Sequence, residues 1–290
     1  MSTLVADRVR AALPALPRAE RRVAHEILAS YPVSGLETVA RLAERADVSG
    51  PTVIRLIARL GYDGFPDFQA ALRSEIEDRH SSPLLQYERR QPAADGDHVL
   101  LRTATLLAST VEHSLAEADP ETFSRAVALL CDPKRRLFTA GGRFSGLTAR
   151  NLAQHLAILR RGCQHLDPND WVPYLLEVHR GDVLVLFDMR RYQRTSVLFG
   201  REAVRRGATL ILVTDPWMSP LAVDAEIILT VSVEASSPFD SQVPALAMVE
   251  ALIAGAVDSL GDQVTMRVAD YDEIWDAQDF AYLEHGRDDA

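Results

Sequence analysis

In GDVLVLFDMRRYQRTS, residues 181–196, an unbroken apolar run delivers Asp188, Arg190, Arg191 and Arg194. So apolar a run is the pattern of a parallel strand buried on both faces, and open α/β sheets bind ligands beyond the carboxyl ends of such strands. Guanidiniums there point to anion recognition, because their planar fork of donors grips phosphate or carboxylate through two charge-assisted bonds. Two arrangements stay open. Either Arg190 or Arg191 takes an anionic ligand while Asp188 orients the guanidinium or accepts a ligand hydroxyl, or Asp188 pairs with an arginine and merely stiffens the loop.

A second chemical stretch is LFTAGGRFSGLTARNLAQHL, residues 137–156. It reads as strand, glycine turn and helix, with the helix starting near Ser145. Gly141 and Gly142 let backbone approach a ligand, Arg143 and Ser145 add polar reach, and a helix start favours an anion. The glycines stand at 141, 142 and 146, which is not the G-x-G-x-x-G of dinucleotide sites. Thr214, Asp215 and Ser219 follow another strand and either line the same crevice or cap a loop. Ser236, Ser237 and Ser241 precede a helix and are further candidates. The expected ligand is a small anionic metabolite.

The third stretch is TVARLAERADVSGPTVIRLIARLG, residues 38–61. Two short helices meet at an Asp47–Val48 turn. Val39, Leu42, Ala43 and Ala46 form one apolar stripe, and Val53, Ile54, Ile57 and Leu60 the other. Ser49 is the expected N-cap, Pro51 suits the first turn, and Gly61 ends the helix. Thr52, Arg55 and Arg59 then share the opposite face. A helix buried on one side and hydrogen-bonding on the other suits the DNA major groove, where Arg reads guanine and Thr reaches phosphate or a thymine methyl. Arg18, Arg21 and Arg22 are placed to touch the DNA backbone. A solvated helical subdomain without a DNA role would show the same pattern.

Around these stretches the chain of 290 residues organises into two parts. Residues 1–80 read as helix after helix, residues 81–97 as a polar linker, and residues 98–290 as helices alternating with five short strands. That alternation predicts a parallel sheet covered on both faces. The net charge of −10 belongs wholly to the part after residue 80, since the first part balances its arginines with equal carboxylates. An acidic chain is repelled by nucleic acid unless its cations share one face, and only the first part offers that. No uninterrupted apolar run spans a bilayer and no secretion signal is evident, so a cytoplasmic, non-membrane protein is expected. Cys131 and Cys163 read as buried free thiols. The eight histidines, His155 and His165 among them, form no ligand spacing, so neither metal, cofactor nor catalytic group is expected. Tyr271, Ile274, Trp275 and Phe280 sit among acids in what reads as a docked or subunit-bridging helix.

The run LPRAERRVAHEILASYPVSGLETVARLAERADVSGPTVIRLIARLGYDGFPDFQAALRSEI resembles the N-terminal domain of the RpiR family of bacterial transcriptional regulators. The second part resembles the sugar isomerase (SIS) domain carried by that family. The resemblance implies an all-α helix-turn-helix domain followed by a three-layer α/β SIS domain with a five-stranded parallel sheet. It also implies a ligand-sensing regulator that binds a double-stranded operator as a homodimer or homotetramer. SIS domains present Ser and Thr hydroxyls in a Ser-x-Ser-Gly-x-Thr loop to cradle a sugar phosphate. Here the corresponding loop is Asp188-Met189-Arg190-Arg191-Tyr192-Gln193, so the cradle and its glycine are missing. The alternative is a phosphosugar isomerase with an added helical domain. Glu250 stands where such isomerases place a base but has no histidine partner at readable spacing.

Overall fold

The structure is a computed structural model that describes residues 4–29, 31–80, 84, 87 and 98–277. The chain divides into two units, Met1–Ser82 and Pro83–Ala290. The expected linker at residues 81–97 falls outside the described residues apart from Leu84 and Tyr87, and Phe280 falls outside them as well.

The first unit is helical: α1 Val5–Ala12, α2 Arg18–Ala29, α3 Val33–Leu36, α4 Val39–Arg45, α5 Gly50–Arg59 and α6 Phe65–His80. Its core gathers Val9, Val23, Ile27, Leu42, Val53, Leu56, Ile57, Phe68 and Leu72 from five of the six helices. Thr38 caps α4 by accepting the Arg41 amide at 3.3 Å. Asp47, in the left-handed region at φ 51°, turns the chain between α4 and α5. Gly61, at φ 86°, ends the last helical turn of α5 as expected. One expectation is corrected. The buried stripe of α5 is Val53, Leu56, Ile57 and Leu60, while Ile54 is 42% exposed. Spacings of three, four and seven from Val53 define a single helical face, and Ile54 lies about 100° off it.

From residue 98 on, the second unit runs through α7 Val99–Ala116 and α8 Pro120–Cys131, the latter capped by the Asp119 carboxylate. The strands are β1 Leu137–Gly141, β2 Cys163–Leu166, β3 Val183–Phe187, β4 Thr209–Thr214 and β5 Ile227–Thr230. Between them run α9 Ser145–Leu159, α10 Trp171–Glu177 and α11 Arg194–Arg205, and α12 Val243–Leu260 and α13 Asp262–Ala277 follow. All pairings are parallel, in the order β2-β1-β3-β4-β5. On β3, Val183, Val185 and Phe187 face a core shared with α8, α9 and α12, while Leu184 and Leu186 face one shared with α10 and α11. The two cores make three layers, and they explain why β3 is apolar without alternation. Among the described residues α12 is long and apolar enough to cross a membrane. Its Ala245, Met248, Val249, Leu252 and Ala256 are nevertheless fully buried in the sheet core. The chain winds from β1 outward to β2 on one side and to β3 on the other. The switch point therefore lies between the carboxyl ends of β1 and β3.

Candidate DNA-reading helix and effector crevice

In the first unit α5 carries Ile54, Arg55, Ala58 and Arg59 on its exposed side. Arg55 is 62% exposed, and its Nη2 donates to Thr52 Oγ1 at 3.0 Å. Thr52 itself is only 5% exposed, which corrects its expected place on the outer face. It holds Arg55 from beneath instead of reaching a base. Ser49 occupies the N-cap position, but its hydroxyl makes no cap bond and lies 3.0 Å from the Thr52 hydroxyl. Arg59 donates to the buried carboxylate of Glu20 on α2 at 2.9 Å, and Arg55 Nε lies 4.0 Å from the same group. Glu20 thus fixes α5 against α2, a role invisible in the spacing along α5. Arg22 binds both the carboxylate and the carbonyl of Asp47 in the helix–helix turn. Arg21 donates to the Leu16 carbonyl, while Arg18 is exposed.

In the second unit the two expected strand ends meet at the switch point. Gly141 pairs in register with Phe187. A Cβ on Gly141 would come within 2.7 Å of the Gly146 nitrogen and 2.8 Å of the Ser145 carbonyl carbon, so only glycine lets α9 start this close to the sheet. Ser145 Oγ donates to the Phe187 carbonyl at 2.8 Å and accepts the Gly142 amide at 2.9 Å. It pins the β1 turn to the end of β3. Thr214 is likewise engaged: it donates to the Asp188 carbonyl at 2.7 Å and accepts the Ser219 amide at 3.1 Å. Arg143 is exposed, with its guanidinium 5.5 Å from the Phe144 ring.

Asp188 neither orients a guanidinium nor stiffens its loop through one. It is buried, and its carboxylate accepts the Ser219 hydroxyl at 2.5 Å. Arg190 instead meets Asp240, fifty positions away, and its guanidinium stacks 5.1 Å from the Trp217 ring. Arg191 is exposed and adopts φ 67°. Asp215 is fully buried and accepts the Tyr192 hydroxyl at 2.7 Å and the Trp217 amide at 3.0 Å. Burial pushes the Asp188 carboxyl up to about 6, with the nearby Asp215 charge acting in the same direction, and it pushes the Asp215 carboxyl up to about 6 as well. Sequence reasoning missed Asp240, Trp217 and Tyr192 as members of this site. Their contacts span separate loops, and no local spacing announces them.

Family models match both units: a helix-turn-helix domain of the rpiR family over residues 3–79 and a SIS domain over residues 129–255. The chain is an RpiR-type transcriptional regulator with a SIS domain. It is 26% identical over 268 residues to the HTH-type transcriptional regulator HexR of Escherichia coli K12, covering 86% of each chain. Its fold is similar to the Vibrio vulnificus NanR protein complexed with ManNAc-6P, at 19% identity and TM-score 0.54, covering 94% of this chain and 98% of that one. The sugar isomerase domain of an RpiR transcription factor from Sphaerobacter thermophilus matches at 21% identity and TM-score 0.57, over 61% of this chain and 99% of that one.

Within this RpiR-type chain the loop after β3 reads Asp188-Met189-Arg190-Arg191-Tyr192-Gln193, and its Arg190 guanidinium is held by Asp240. Glu250 is exposed on α12. His165 is half-buried on β2, where Thr139 Oγ1 lies 3.0 Å from its Nδ1, and burial lowers its pKa. No group of three or more His, Cys, Asp or Glu is placed to hold a metal among the described residues. Cys131 and Cys163 are free, the first buried and the second partly so. Burial pushes the Cys163 thiol up to about 11, which favours its protonated form.

Proposed function

We propose that the first unit reads duplex DNA with the outward face of α5 and that the second unit senses a small hydroxylated anion at the carboxyl ends of β1, β3 and β4. The observation that carries this reading is the meeting of the Gly141–Gly142 turn and the start of α9 with the end of β3 at the switch point of the sheet, with Arg190 on the loop that follows β3. A helix start and a guanidinium both favour negative charge there. A phosphosugar is one candidate class, since the Vibrio regulator of this fold was solved with ManNAc-6P, and a sugar carboxylate is the other. On the DNA side Arg55 is the reading side chain, set by Thr52, and exposed Ile54 supplies an apolar contact suited to a thymine methyl. Arg59, Arg18 and Arg22 serve phosphate or position α5. The protein works in the cytoplasm as a homodimer or homotetramer, and effector binding shifts operator affinity by a coupling of about 1–3 kcal/mol.

The rival reading, a phosphosugar isomerase, is disfavoured by the missing hydroxyl cradle and by the solvent exposure of Glu250. The test uses operators selected from a random duplex library. Arg55→Ala is expected to weaken selected-site binding by about tenfold or more, since a bidentate base contact is worth about 1–3 kcal/mol. The thermal stabilisation produced by glucose 6-phosphate or gluconate should not change. Parental DNA affinity in Arg55→Ala, or turnover of sugar phosphates by the intact chain, would refute the reading.

A further inference from the structure

Arg190 and Asp240 face each other across two loops: Arg190 follows β3, and Asp240 lies in residues 231–242 between β5 and α12. Their side chains are only 10% and 21% exposed. Taking such a pair out of water is costly, and close geometry offsets that cost only in part. The loops that frame the pair also hold polar atoms that are buried without a hydrogen-bond partner. Asp215 Oδ2 and Trp217 Nε1 lie on the β4 loop, whose Trp217 ring backs the Arg190 guanidinium. Ser236 Oγ and Gln242 Oε1 lie on the loop of Asp240 itself. Native structures hold few such atoms, and each calls for a partner. Asp215 and Gln242 offer acceptors, Trp217 offers a donor and Ser236 offers either, which is the complement of a molecule bearing several hydroxyls.

We propose that Asp240 is a built-in substitute for the ligand's acidic group: a hydroxylated oxyanion displaces it from Arg190 and so releases loop 231–242. This rests on the strand-end crevice being the effector site. Carboxylate and phosphate are gripped alike by a guanidinium fork, so Asp240 competes with either for the same seat. The displaced loop runs directly into α12, whose buried residues share the sheet core, so occupancy reaches the body of the domain through one covalent connection. Asp240 lowers the apparent affinity by the fraction of time it occupies Arg190. The latch therefore sets the concentration at which the sensor responds.

Calorimetric titration of the full-length chain with inorganic phosphate, glucose 6-phosphate and gluconate tests this, using the parent, Asp240→Asn and Arg190→Gln. Removing the competing charge in Asp240→Asn should tighten binding of at least one probe by about tenfold, and Arg190→Gln should abolish it. The glucose 6-phosphate and gluconate arms separate phosphate from carboxylate recognition. Unchanged or weaker binding by Asp240→Asn, with Arg190→Gln inactive, overturns the latch but keeps the crevice as the effector site. Parental binding by Arg190→Gln, or no binding by any protein to any probe, overturns both. Asp240→Ser replaces the Asn variant if circular dichroism shows the latter unfolded.

Discussion

At the scale of single residues, the loops that follow β3 and β4 hold acids placed where water cannot reach them. Asp188 and Asp215 both have carboxyls raised to about 6, chiefly by burial. A raised acid pKa means the folded chain binds protons more tightly than the unfolded one between about pH 4 and 6, so these groups destabilise the fold as pH rises through that window. The destabilisation is fully present above about pH 6 and absent below about pH 4. Replacing both by asparagine keeps the shape and removes the charge. At pH 7.5 the double variant should therefore be more stable than the parent by a few kcal/mol, because each tenfold change in proton affinity is worth about 1.4 kcal/mol. Urea denaturation at pH 7.5 and pH 5 checks this: the gap should narrow at the lower pH, and a gap that widens there contradicts the assignment. Thr52 teaches the same lesson in the other unit. Its type suits DNA, yet its burial makes it a support for Arg55.

At the scale of elements, α9 starts almost on top of the sheet. Gly141 permits that approach, and Ser145 locks it to the Phe187 carbonyl. Gly141→Ala forces its methyl into backbone that has no side-chain freedom to yield. Overpacking of this kind costs about 1–3 kcal/mol, so the denaturation midpoint should fall and the phosphate response should weaken with it. Gly142→Ala is the control. Its Cβ meets the end of the Gln193 side chain at 3.2 Å, which can rotate away. Equal midpoints for Gly141→Ala and the parent would show that α9 does not need this contact. In the first unit the corresponding device is Glu20, which ties α5 to α2 through Arg59 and leaves Arg55 exposed beside it.

For the whole molecule, a net charge of −10 opposes any approach to DNA, so binding depends on arginines gathered in the balanced first part. Affinity should fall steeply with salt, because each neutralised phosphate adds about 0.9 to the slope of log K against log salt concentration. Arg18→Ala, removing an exposed cation from α2, should lower that slope by about 0.9, whereas Arg143→Ala in the second unit should leave it unaltered. Fluorescence anisotropy with a labelled operator across a salt series measures both. A slope that responds to Arg143 and ignores Arg18 would assign DNA contact to the other unit.

The strands and most helices were legible because hydrophobic period and turn chemistry are local properties. β3 is apolar throughout, α8 starts at a Pro after Asp119, and Gly61 ends α5. The Gly141 turn and the Arg190 loop could each be named as strand ends for the same reason. What a linear chain cannot state is which side chains meet across loops, since partners such as Arg190 and Asp240 or Arg59 and Glu20 are joined only by packing. Nor could composition show that Thr52 turns inward and Ile54 outward, because a short helix has a stripe whose phase is settled by what it packs against. Sequence alone determined the elements and the residue types at their ends. The tertiary structure decided which of those residues are buried and paired and which stay exposed, because burial and pairing arise only when distant segments exclude water together.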